Sequence, residues 1–185
     1  MSTTATLTPN EIPTGTYSVD PTHSNVGFAV RHMGIATVRG TFKQFAGTVQ
    51  ADEQGLTLAG TVEVASVDTG EENRDGHLQS PEFFDVQQHP QITFRTTGAE
   101  LAGDGHIELN GEIEIKGITR PIVLTGAVAE NGEDPWGNQR IGFEVEGTVD
   151  RREFDLKWNQ TLPNGNLLVA NDVTLIVSVS AVKES

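Results

Sequence analysis

HIELNGEIEIKG, residues 106–117, is the stretch that decides the fold. Ile107, Leu109, Ile113 and Ile115 fall on one parity, and Glu108, Asn110, Glu112, Glu114 and Lys116 on the other. A strand sends successive side chains to opposite faces, so this segment has one apolar face and one wet face. Gly111 stands in the middle of the apolar row, where a side chain would otherwise supply core.

The same alternation recurs along the chain. One row holds Leu56, Leu58, Val62 and Val64; another Ile141, Phe143, Val145 and Val149; a third Val173, Leu175, Val177 and Val179. Shorter versions are Val26-Phe28-Val30, Val38-Gly40-Phe42, Ile92-Phe94 and Ile122-Leu124-Gly126-Val128. With the opening segment these make eight candidate strands, separated by turn chemistry such as DEQG, GDG and ENGEDPWGN. Residues 69–85 lack the alternation and read as one short helix and a turn, and 159–171 as a long polar loop. Such strands can pack as a sandwich or close on themselves. Their length and mostly short connections predict an all-β domain: a single eight-stranded antiparallel up-and-down barrel with one short helix.

Glycine then becomes informative. Gly40, Gly60, Gly111, Gly126 and Gly147 all sit inside apolar rows. Strongly coiled strands need glycine kinks to close a barrel, and glycine also leaves interior space for a ligand. Both readings stand on the sequence.

The remaining bounds are compositional. A chain of 185 residues suits one domain, with the polar Thr- and Pro-rich residues 1–15 read as a flexible tail and 16–185 as the barrel. Twelve Lys+Arg against 26 Asp+Glu give −14, a field that repels nucleic acid and anionic lipid head groups. There is no cysteine, hence no disulfide or thiolate chemistry. The opening has neither the basic start nor the apolar core of a signal peptide, and no apolar run of about 18 residues could span a membrane. These readings predict a cytoplasmic location. The five histidines show no HExxH or His-x-His spacing, so no metal, cofactor or catalytic residue is predicted.

Three segments carry a resemblance: YSVDPTHSNVGFAVRHMGIATVRGTFKQFAGTV (17–49), SVDTGEENRDGHLQSPEFFDVQQHPQITF (66–94) and GEIEIKGITRPIVL (111–124). Together they resemble the YceI-like family, over roughly residues 16–183. The resemblance implies a lipocalin-like eight-stranded barrel, commonly a homodimer, that binds polyisoprenoid lipids or isoprenoid quinones inside. On that basis the expected wall is Phe28, Val30, Val38, Phe42, Leu58, Val62, Phe94, Ile113, Leu124, Phe143 and Val177, with Phe84 and Trp158 at an end. Arg31, His32, Arg74 and His77 are candidates for the ligand's polar end. Two alternatives stay open: an enzyme on a lipid-like substrate using His32 or His77, and a filled barrel acting as an interaction module.

Overall fold

The computed structural model describes residues 12–185. Of the tail expected over 1–15, residues 1–11 lie outside the described residues. Ile12 packs against the core, and the Tyr17 hydroxyl donates to the Pro13 carbonyl at 2.7 Å.

Among the described residues, twelve strand segments form one sheet. In chain order they are β1 (Gly15–Val19), β2 (Asn25–His32), β3 (Ala36–Phe42), β4 (Phe45–Asp52), β5 (Gly55–Glu63), β6 (Val67–Asp68), β7 (Gln91–Leu101), β8 (His106–Ile115), β9 (Ile118–Val128), β10 (Gly132–Glu133), β11 (Gln139–Asp150) and β12 (Val169–Lys183). Helix α1 (Glu72–Gln79) stands between β6 and β7. Its first turn is capped by the Glu71 carboxylate, which accepts from the Asn73 and Arg74 amides.

Eight staves close the barrel, every pairing antiparallel. The ring runs β11–β9–β8–β7–β5–β4–β1–β12 and shuts where β12 pairs with β11 from Asp172 to Val182. Two staves come in two pieces. β12 pairs with β1 through Ala181–Lys183 and with β2 through Val169–Ser178, so β1 and β2 share one track along its edge. β4 and β3 continue that track's neighbour in the same way. The sequence rows located β2 and β3 but not β1 or β4.

Local chemistry explains the hairpins. The β8–β9 turn places Lys116 at φ 52° and Gly117 at φ 76°, the left-handed pair that matches the twist of adjacent strands. At the α1 end β3 pairs with β6 rather than with β5. Leu78 of α1 and Phe84 just after it pack against Phe42 and Phe28 there, with the Phe42 and Phe84 rings 6.1 Å apart, edge to face.

The five inward glycines divide by what a methyl group would meet. At Gly126 it would fall on the Glu144 carbonyl, and at Gly147 it would lie 2.5 Å from the Val123 carbonyl oxygen. These two let β9 and β11 approach closely. At Gly111 it would lie 2.6 Å from both the Arg95 carbonyl oxygen and the Phe94 ring, and at Gly40 it would strike the Phe28 ring. These gaps are therefore filled by phenylalanine. Only at Gly60 is there room, with just the Ala46 carbonyl oxygen at 3.4 Å.

Candidate ligand-binding site

The barrel is solid at one end and hollow toward the other. Around Tyr17, Val49, Ile107, Leu109, Ile141 and Phe143 the side chains are almost wholly excluded from solvent. Above them lie two apolar chambers. The first, about 120 Å³, is bounded by Val19, Val26, Leu58, Gly60, Phe94, Ile113, Leu124 and Val177. The second, about 100 Å³, lies under α1 and is bounded by Phe28, Val30, Leu78, Phe83, Phe84, Val149, Phe154 and Val173. Phe42, Ile92, Ile115 and Leu175 line both, and so form the waist between them. An engineered apolar cavity of about 150 Å³ takes up benzene, so each chamber accepts a group near the size of one isoprene unit.

Most of the expected wall surrounds this space. The exceptions are Val38, Phe143 and Trp158, which line neither chamber. Phe143 belongs to the packed end, at 1% exposure. Val38 pairs with Val30 near the β2–β3 turn, four residues along β3 from the chamber-lining Phe42. Trp158 stacks edge to face on His77, centroids 4.8 Å apart, and lies 5.5 Å from Phe83, closing the α1 end. Among the lining residues the expectation missed, the waist residues Ile92, Ile115 and Leu175 stand in the alternating rows and could have been taken from them, whereas Leu78, Phe83 and Phe154 lie outside any such row.

The four expected polar-end residues do not line either chamber and are engaged elsewhere. Arg31 donates to Thr37 Oγ1 and the Gly34 carbonyl. Arg74 donates to Thr69 Oγ1 and its carbonyl, and His77 Nε2 meets Glu82 at 2.5 Å. His32 pairs with Val169 across β12. None of the five histidines faces the chambers, so the acid–base geometry required by the enzyme alternative is not found among the described residues. Against a wholly filled barrel, the interior is packed at one end only.

Two arginines that the sequence left unremarked organise the ends. Arg151, 4% exposed, borders the second chamber. Its guanidinium donates to the carbonyls of Leu156, Trp158, Val169 and Ala170, tying both ends of the loop before β12. Burial lowers its pKa from the ordinary arginine value, and the four carbonyl dipoles compensate the charge. At the packed end Arg140 bridges Asp20 at 2.9 Å and Asp134 at 2.8 Å. Hydrogen bonds from His23 and then Arg140 hold the Asp20 carboxyl well below the usual range, and Arg140 does the same for Asp134.

Both carboxyls are more acidic folded than unfolded. Their contribution is complete above about pH 4 and drains away as pH falls through the folded values. Arg140→Gln is therefore expected to lower the urea midpoint at pH 7, with the gap to wild type narrowing below pH 4. Equal gaps at pH 7 and pH 2.5 would show that the bridge is not coupled to folding.

The fold and its interior define a class: a closed eight-stranded antiparallel barrel that keeps an apolar hollow beneath a helical cap. The chain belongs to the YceI-like family, whose domain matches residues 17–181. Protein YceI of Escherichia coli O157:H7 is 34% identical over 165 residues, covering 88% of this chain and 83% of that protein. Among solved structures, Burkholderia cenocepacia BcnA superposes with a TM-score of 0.76 at 23% identity, over 88% of this chain and 98% of BcnA. A polyisoprenoid binding domain from Saccharophagus degradans, implicated in plant cell wall breakdown, superposes at 0.70 and 15% identity, over 91% of this chain and 98% of that domain.

Proposed function

We propose that the barrel binds one long apolar lipid of the polyisoprenoid class, for carriage, storage or sequestration. The observation that carries this is the pair of chambers joined at a waist of Phe42, Ile92, Ile115 and Leu175. The polyisoprenoid-binding domain of like fold supports the ligand class. On this reading the lipid's polar end faces the α1 end, beside His77 and Trp158 and away from the buried Ile107, Ile141 and Phe143. A chain that spans both chambers needs the waist to give way, which the phenylalanine and leucine there do by changing rotamer.

An unfilled cavity costs about 24 cal/mol per Å³, so the larger chamber alone, at about 120 Å³, costs roughly 3 kcal/mol. A bound chain removes that cost and adds about 0.8 kcal/mol per buried methylene before ordering losses. Geranylgeraniol added to delipidated protein is accordingly expected to raise the thermal midpoint by about 5 °C or more. No shift with this alcohol, and no isoprenoid released from untreated protein by organic extraction, would contradict the proposal.

A further inference from the structure

The hairpin that ends beside the second chamber is unlike the rest of the surface. Residues 21–51 contain no Asp or Glu, yet they carry Arg31, Arg39 and Lys43. With −14 overall, this +3 leaves −17 for the remainder. Residues 156–171, the loop before β12 and the first residues of that strand, are also free of acid. The fold sets the two together: the Met33 amide donates to the Leu168 carbonyl at 2.8 Å, and His32 pairs with Val169.

The tip is apolar where solvent-exposed turns are ordinarily polar. The turn between β2 and β3 places Met33 at φ 57° and Gly34 at φ 70°, closed by the Ile35 amide donating to the His32 carbonyl at 3.0 Å. Asn or Gly fits the first of these positions with less strain than Met does. Ile35 is 77% exposed, and Leu167 on the adjoining loop is 39% exposed. Lys43 and Lys157 are paired with Asp68 and Asp155. Arg31 and Arg39 form no ion pair among the described residues. Arg31 is fixed at the base of the turn through Thr37 and Gly34. Val30 and Val169, which flank this tip, line the second chamber.

We propose that this tip docks the protein on a lipid bilayer bearing anionic head groups, with Ile35 and Leu167 entering the interface and Arg31 and Arg39 facing the phosphates. Apolar side chains ringed by cations bind such interfaces, and the attraction fades within a Debye length, about 8 Å in physiological salt. The local charge therefore governs contact although the whole chain is acidic. The proposal rests on the lipid-binding reading of the barrel for its purpose, because docking at this end places the second chamber against the bilayer.

The test is flotation with vesicles of phosphatidylcholine containing 30% phosphatidylglycerol, at a mole fraction of about this size to give a negative surface. Wild type is expected to float with these vesicles and to sink in high salt or with phosphatidylcholine alone. Ile35→Asp and the double variant Arg31→Gln/Arg39→Gln are each expected to cut the floated fraction at least tenfold. Val123→Asp, on the outer barrel wall at 48% exposure, is expected to float like wild type. Wild type that stays at the bottom with anionic vesicles, equal flotation on phosphatidylcholine alone, or Ile35→Asp that floats like wild type would overturn the proposal. Flotation needs no ligand, whereas geranylgeraniol uptake from dilute solution needs no vesicle. Failure of the interior and failure of the docking tip are thus distinguishable.

Discussion

Gly126→Ala is expected to be the most damaging small substitution in the barrel, costing more than about 4 kcal/mol or preventing folding outright. Gly126 pairs with Val145 where β9 meets β11, and the added methyl would fall on the Glu144 carbonyl. That obstacle is main chain held in a sheet, so it cannot swing aside. The only relief is to part the two strands, and β11 is the stave through which the ring closes onto β12. Gly98→Ala serves as the control. A methyl there meets nothing within 4 Å, and its effect should stay within about 0.5 kcal/mol. Urea unfolding of both variants checks the pair. A Gly126→Ala protein as stable as Gly98→Ala would mean that β9 and β11 are not so closely apposed.

Gly60→Leu should do the opposite: keep the fold and lose the ligand. Gly60 pairs with Gly47 and Phe94, and its inward side opens on the first chamber. A leucine there occupies existing space, so stability should change by less than about 1 kcal/mol, with cavity filling offsetting strain. It takes the place of about four ligand carbons, worth roughly 3 kcal/mol, or about two orders of magnitude in affinity for geranylgeraniol. Gly111→Leu is the informative contrast, because Phe94 and the Arg95 carbonyl already occupy its space. It should destabilise the barrel. Titration of geranylgeraniol into wild type and Gly60→Leu, with unfolding curves for all three proteins, decides the matter. Unchanged affinity in a stable Gly60→Leu protein would place the lipid elsewhere.

These contrasts show what the sequence could and could not reveal. Period-two alternation made β8, β11 and β12 legible, because long strands with one buried face repeat the signal many times. β1 and β4 were missed for the converse reason. GTYSV is short, and FAGTVQAD fills its inward row partly with Gly47 and Ala51. The glycine rows were visible, but not their separate meanings. Whether a gap is filled depends on what the register sets opposite it. Phe94 reaches Gly111 because β7 pairs with β8 in one particular register, with a bulge between Thr96 and Gly98.

Long-range polar pairs were out of reach as well. Arg140 finds Asp20 across 120 positions, and although DPTHS (20–24) is a visible polar cluster, no spacing ties it to Arg140. Phe143 has the same alternating neighbours as the true chamber walls and still lies in the packed end. Where a barrel is solid and where it is hollow is set by the sum of side-chain volumes at each level, not by any one strand.

On the proposed reading the two chambers act as a single lipid site once the waist moves. A crystal structure of the protein loaded with geranylgeraniol tests it most directly. The expected result is unbroken density for one chain from beside Gly60, past a rotated Phe42, to the space under Phe84. Density confined to the outer surface, or both chambers empty with Phe42 unmoved, would contradict it.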